Sequence, residues 1–279
     1  MDHAAVERAG NSEESEAVAN AARDLIADAE RITVLTGAGI STDSGLPDFR
    51  GPNGLWTKNP EAEKASNISH YVNEPEVRKV NWKLRADGEL WANVRPNDGH
   101  RALLPLQERG VLHTLVTQNV DELHQMSGID PDLVVEIHGT TRKAGCLSCD
   151  YRTTMEVLVD RVRAGEVDPD CPECGGIMKS STISFGQPLV VADLQRAQQA
   201  ADDADLLLAI GSSLTVNPIA SIVPRAVRGG AKLVIINGEP TPFDSLADAV
   251  VHASISDVLS KLIAEVHEDG PTRTHRQEP

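Results

Sequence analysis

The residues most plainly spaced for chemistry are the four cysteines. Cys146 and Cys149 form one C-x2-C pair and Cys171 and Cys174 another, with residues 150–170 between them. Four thiolates suit a tetrahedral zinc ion, and a complete sulfur shell leaves no open position for catalysis. The spacing predicts one structural Zn2+ holding a small ribbon with little core of its own. A redox pair or disulfides are the alternatives. A reducing compartment and the lack of a spare thiol count against both.

A second set of residues sits where apolar runs end. The stretch RITVLTGAGISTDSGLPDFRG (31–51) passes from a buried-strand pattern into a turn holding Gly37, Gly39 and Gly45, with Ser41, Asp48 and Arg50 among them. Glycine lets backbone approach a ligand, and N–H groups at a following helix start favour phosphate, so 37–45 is expected to cradle a pyrophosphate. The spacing is G-x-G-x5-G, not the dehydrogenase G-x-G-x-x-G. The acidic residue expected about 20 positions on, to hold a ribose, has no clean match, so hydride transfer fits poorly.

His138 closes another run, VVEI, and precedes Gly139. An imidazole with a pKa near 6.5 suits general-base work at neutral pH. Asn119 and Asp121 follow the run LHTLVT and could orient a water or bind a carboxamide. The plainer alternatives are a structural His138 and an Asn119 that caps a helix starting near 120.

Positioning these groups requires strands alternating with helices. Strand patterns fall at 32–36, 112–117, 134–137, 205–210 and 232–236, with a weaker one at 249–252. Helical patterns fall at 16–30, 99–109, 120–127, 192–203, 217–229 and 256–267. Such alternation predicts an α/β fold with a doubly wound parallel sheet. Each of the first five strands is followed by a polar or glycine-containing motif: GAGIS, QNVD, HG, GSS and NGE. Ligands of open α/β sheets bind beyond the carboxyl ends of the strands, so the five motifs are expected to share one crevice.

Two segments break the rhythm, 52–95 with a helical pattern and 140–182 with every cysteine. The expected division is a discontinuous nucleotide-binding domain over 15–51, 96–139 and 183–267. A helical module over 52–95 and a ribbon over 140–182 make a small domain, and 1–14 and 268–279 form tails.

Composition limits the partners. Against 26 Lys plus Arg stand 42 Asp plus Glu, a formal net charge of -16, which disfavours direct nucleic-acid binding. Only 8 of the 26 cations are Lys, which fits either a high-salt cytoplasm or simply an acidic soluble protein. No stretch approaches the roughly 20 apolar residues of a membrane span, and the N-terminus has no apolar signal core. The expectation is a cytoplasmic chain that does not bind membranes.

Taken together, GAGIS (37–41), GLPDFR (45–50), TQNVDELH (117–124), HG (138–139), the two C-x2-C pairs, FG (185–186), GSS (211–213) and LVIIN (233–237) resemble the signature set of the sirtuins, the NAD-dependent protein deacylases. The resemblance runs in order over roughly 20–265. It implies a Rossmann-like large domain with a small domain made of a zinc ribbon and a helical module. It also implies NAD as cosubstrate, with its pyrophosphate near Gly37, Ala38 and Gly39 and its ribose near Ser213 and Asn237. Asn237, Gly238, Glu239 and Ile255 line the adenosine end. Ser41, Asp48, Phe49, Arg50, Trp56, Gln118, Asn119, Val120 and Asp121 belong to the cofactor site, as do Gly211 and Ser212. His138 becomes the base that deprotonates a ribose hydroxyl, with Asn119 and Asp121 beside it.

By the same resemblance, an acyl-lysine protein substrate pairs with Phe185 and Gly186 as an added strand. The chain departs from the family pattern at Gln187, where many relatives carry Glu, and at Ser180–Ser181, which replace a Lys-Pro-like stretch. Trp82 and Arg85 fall where sirtuins preferring acidic acyl groups carry Tyr-x-x-Arg. Arg85 could meet a carboxylate, but the tyrosine is missing, so acetyl or simple apolar acyl groups are expected. The alternatives are an ADP-ribosyltransferase, a deacylase for longer or acidic groups, and a non-enzymatic NAD-sensing module.

Overall fold

A computed structural model describes residues 3–51, 54–58, 66–88 and 94–264, with side chains from residue 15. The central sheet has six strands: β1 (Ile32–Thr36), β2 (Leu112–Thr117), β3 (Val134–Glu136), β7 (Leu206–Ile210), β8 (Lys232–Ile236) and β9 (Ala249–Val251). Their order is β3-β2-β1-β7-β8-β9, and every neighbouring pair is parallel. From β1 the chain first builds outward on one side, then returns to build outward on the other. That is the doubly wound arrangement, and its switch point lies between β1 and β7.

The sequence of these strands explains why they sit centrally. LLLAI is buried at every position, as a strand covered on both faces requires. Leu206, Leu208 and Ile210 join one apolar cluster with Val34, Val234, Leu103, Leu259 and Ile26. Leu207 and Ala209 join the opposite cluster with Leu35, Leu233, Ile235, Ala197 and Ile222. Each fully buried Leu or Ile contributes roughly 1.5–3 kcal/mol relative to exposure.

The helices differ from the sequence patterns at their ends. The pattern at 16–30 belongs to a longer helix, His3–Asp28, which includes residues expected as a tail. Its composition, rich in Ala and Glu, favours that continuation. The pattern at 99–109 is two short helices, Asp98–Arg101 and Leu104–Glu108, with Pro105 near the start of the second. The pattern at 217–229 opens as a 3-10 turn, Ile219–Ser221, before the helix Ile222–Gly229. The last helix is described over Ile255–Ala264, and the tail expected at 268–279 lies outside the described residues.

The segment 140–182 forms a second sheet. β4 (Lys143–Cys146), β5 (Arg152–Thr154) and β6 (Met178–Ser180) run antiparallel in the order β5-β4-β6. The helices Ile68–Asn73 and Pro75–Ala86 accompany it. One small cluster holds these pieces together: Trp82 packs with Ala144, Cys146, Met155, Leu158, Val159, Cys171 and Met178. Arg78 adds a buried tie. Its guanidinium contacts Asp168 at 2.9 Å and donates to the carbonyls of Tyr71 and Val72.

Candidate active site

The loops after β1, β2, β3 and β7 meet at the switch point. Gln118 links three of them. Its backbone N–H donates to Thr36 O at 2.9 Å, its side-chain amide to Ser212 Oγ at 2.7 Å, and its carbonyl accepts His138 Nδ1 at 3.1 Å. The glycines serve this meeting in a way the sequence did not suggest. A Cβ on Gly37 would lie 2.7 Å from Gly211 O and 2.8 Å from Ser212 Cβ, and one on Gly39 would lie 2.8 Å from Gly211 Cα. Gly37 and Gly39 are small because two strand-end loops interlock there. Gly45 instead ends the turn with φ of 87°.

Beneath this seam lies a buried polar group. Ser41 Oγ donates to Asp121 Oδ2 at 2.8 Å, accepts from Asn119 Nδ2 at 3.1 Å and lies 3.3 Å from His100 Nε2. Asn119 Nδ2 also reaches Gly37 O at 3.2 Å. The capping role considered for Asn119 is not the one it plays. The helix expected from 120 begins at Leu123, and Asp121 Oδ1 accepts the Leu123 N–H at 3.0 Å. Glu122 has a φ of 59°, so residues 119–122 form a turn instead of a helical start. Burial raises the pKa of Asp121, opposed by the Leu123 N–H and the Ser41 hydroxyl.

His138 stands at the end of β3. Because a carbonyl accepts from Nδ1, the proton resides there and Nε2 keeps its lone pair. Burial lowers the His138 pKa below 6.5, against the raising effect of the Gln118 carbonyl, and so keeps the ring neutral near pH 7. The chain leaving the ribbon is stitched to the same point: Ile183 N–H donates to His138 O at 2.7 Å. Gly139, with φ of 72°, passes so close to Ser181 O that no side chain would fit.

His100 and His124 were not singled out by sequence. Their rings lie 5.0 Å apart, and both are buried. His124 Nε2 is 2.9 Å from Thr36 Oγ1. Burial depresses both, His100 to about 4 with help from Arg101, so the pair is neutral. The available signal was PNDGH. Asn97 caps the helix and its amide donates to Ile40 O at 2.8 Å, which places His100 under the glycine turn.

The remaining candidates divide. Asp48 accepts the Gly51 N–H at 2.9 Å, and Phe49, Arg50 and Trp56 pack on one another. Val120 O accepts from the backbone and hydroxyl of Thr141. Ser213 Oγ pairs with Thr215 Oγ1 at 2.9 Å. The Asn237 amide donates to Glu239 O at 2.6 Å, closing a turn around Gly238 after β8. Ile255 packs in the core beside Gly99. Trp82, one of the residues considered for the acyl pocket, is fully buried in the ribbon cluster. Arg85 donates to Asn81 Oδ1 at 2.9 Å and reaches Ser180 Oγ at 3.4 Å, bridging helix and β6.

The four cysteine sulfurs lie within 4.8 Å of one another, with close pairs at 3.4–3.6 Å. These separations exceed a disulfide bond of about 2.05 Å. They suit a tetrahedron of sulfurs about 2.3 Å from a central zinc.

A doubly wound nucleotide-binding sheet with a four-cysteine ribbon inserted after its histidine-bearing strand defines a narrow class of protein. The Sir2 family profile matches residues 37–218. NAD-dependent protein deacetylase 2 of Streptomyces coelicolor is 44% identical over 232 residues, covering 83% of this chain and 96% of that protein. NAD-dependent protein deacetylase 1 of Bradyrhizobium diazoefficiens is 42% identical, covering 86% and 93%. Among solved structures, a Sir2 enzyme with a deacetylated p53 peptide and 3'-O-acetyl ADP-ribose superposes with a TM-score of 0.79 at 32% identity, covering 87% of this chain and 96% of that one. A Sir2 protein bound to acetylated peptide gives 0.76 at 30% identity, covering 87% and 95%. The chain belongs to the Sir2 family.

Proposed function

We infer that the protein is an NAD-dependent protein lysine deacetylase. The reaction takes acyl-lysine, NAD and water to free lysine, acyl-ADP-ribose and nicotinamide. The cosubstrate supplies a glycosidic bond whose cleavage activates an otherwise inert amide. The observation that carries the reading is His138: a neutral imidazole, fixed by Gln118 O, at the point where four strand-end loops converge. Among the described residues its Nε2 has no hydrogen-bond partner, which leaves it able to take a proton from a ribose hydroxyl.

The residue roles belong to the same proposal. Gly37, Ala38 and Gly39, with Gly211, Ser212 and Ser213, form the interlocked seam that receives the diphosphate and its ribose. Asn237–Glu239 extend it toward the adenosine. Ser41, Asn119, Val120 and Asp121, backed by His100, hold the nicotinamide end, and the segment Asp48–Arg50 with Trp56 covers it from water. The acyl-lysine peptide pairs at Phe185–Gly186, whose backbone already bridges Asn67. Acetyl is the proposed acyl group, since the Trp82 ring is committed to the core. Among the described residues no helix is long and apolar enough to cross a membrane.

The test is a panel of acyl-lysine peptides incubated with NAD and read by mass spectrometry. Acetyl-lysine should be converted with one nicotinamide released per lysine freed. His138→Ala should lose about 10²–10⁴-fold in kcat/KM while remaining folded. The wild-type rate should fall as acid protonates His138, with a midpoint below 6.5. ADP-ribose appearing on protein without freed lysine would replace the reading with an ADP-ribosyltransferase. Full activity in the alanine variant would remove His138 as the base.

A further inference from the structure

Two segments that the proposed function treats separately touch through one ring. Trp56 lies between Phe49, at a centroid distance of 4.7 Å, and Phe185, at 5.4 Å. The Arg50 guanidinium stands 4.5 Å over the same ring. Phe49 and Arg50 belong to the segment proposed to cover the nicotinamide end, and Phe185 to the strand proposed to receive the peptide.

Each side of this contact is locally fixed. Leu55 N–H donates to Asp48 O at 2.7 Å and Trp56 N–H to Phe49 O at 3.0 Å. A Cβ on Gly54 would lie 2.6 Å from both Asp48 Oδ1 and Phe49 C, so residues 54–56 pack tightly against 48–50. Phe185 N–H donates to Ser66 O and its carbonyl accepts Ile68 N–H, both at 3.0 Å. Ile183, two residues earlier, bonds the His138 carbonyl. The indole is therefore in contact with two segments that are each held by backbone hydrogen bonds.

Trp56 also carries an unpaid donor. The residue is 9% exposed, yet its Nε1 is buried with no hydrogen-bond partner. A buried indole N–H without an acceptor has lost its hydrogen bond to water and gained none in return. Ligands that bring an acceptor oxygen to this junction would relieve that cost.

We propose that Trp56 is a positioning residue that couples acyl-peptide binding at Phe185 to placement of the Phe49–Arg50 segment over the cosubstrate, and that its N–H donates to an acceptor oxygen of one of the two ligands. The proposal rests on the deacetylase reading. Coupling of this kind is reciprocal: peptide tightens the nucleotide by the same factor as nucleotide tightens peptide.

The test measures acetyl-lysine peptide affinity with and without a non-hydrolysable carba-NAD, and carba-NAD affinity with and without peptide, by titration calorimetry. Wild type should show at least tenfold mutual tightening. Trp56→Leu, which removes the stack, should bring both ratios close to one. Trp56→Phe keeps a ring between Phe49 and Phe185 but deletes the N–H. It should preserve the tightening and weaken one ligand alone by several-fold, identifying which one carries the acceptor. Melting temperature and zinc content matching wild type in both variants exclude a folding defect. Tightening retained in Trp56→Leu overturns the coupling, and unchanged single-ligand affinities in Trp56→Phe overturn the N–H contact. If the wild type frees no lysine from any acyl peptide with NAD, the deacetylase reading falls instead, and the inference falls with it.

Discussion

The central sheet is covered on both faces by separate apolar clusters, fed by alternate residues of the same strands. The ribbon strands share one small cluster, and two of its members are the cysteines Cys146 and Cys171. The large unit is stabilised by burial that its own sequence supplies at every central strand. The small unit has too little apolar surface for that, and relies on four thiols, the Arg78–Asp168 pair and one tryptophan. The lesson is that Trp82 and the cysteines do the same job, which is why a tryptophan at a position suggestive of substrate contact is core.

Removing the metal should separate the two units most sharply. Binding of a structural zinc contributes roughly 10–16 kcal/mol in small zinc domains. Chelation should abolish deacetylation and expose the four thiols to titration, while the circular dichroism of the helices flanking the sheet largely persists. A zinc-free protein with full activity would erase the contrast.

A smaller effect, inside the large unit, comes from Gly37→Ala. The added carbon would meet the Gly211 carbonyl at 2.7 Å, a backbone contact that cannot swing away. A loss of about 1–3 kcal/mol is expected, together with weaker NAD binding by calorimetry. An unchanged melting temperature would show that the seam is loose. Arg78→Met tests the small unit in the same way. It strips Asp168 of its partner and leaves the carbonyls of Tyr71 and Val72 without their donor, at about 2 kcal/mol. Zinc should dissociate faster from this variant while the unfolding of the sheet stays where it was.

The mildest expectation concerns pH. Burial raises the Glu136 pKa to about 7, with the like charge of Glu122 adding to the effect and Lys143 opposing it. A carboxyl raised from 4.5 to about 7 favours folding in its protonated form, so stability should decline as pH rises across that window. Glu136→Gln should flatten the decline, seen as a smaller drop in melting temperature between pH 5 and 8. Identical pH profiles for the two proteins would assign the slope elsewhere.

Much of this was legible in the residues. The strand runs fell where the strands are, because LLLAI and KLVII have no other place than a sheet buried on both sides. The C-x2-C pairs announced the metal because thiols at that spacing have few other uses. Three features were not legible. The turn at 119–122 looks helical until Asp121 is seen to accept the Leu123 N–H. The packing of Gly37 and Gly39 against Gly211 is visible only in the fold. His100 and His124 lie apart in sequence, and their pairing depends on how the helix capped by Asn97 packs under Thr36 and Ser41.

The bond from Ile183 to the carbonyl of His138 joins the ribbon to the end of β3. A peptide plane of the segment leaving the ribbon leans on the peptide plane that carries the imidazole, and Gly139 passes close against Ser181 O beside it. The imidazole thus takes part of its placement from outside the central sheet, through one amide of the segment that leaves the ribbon.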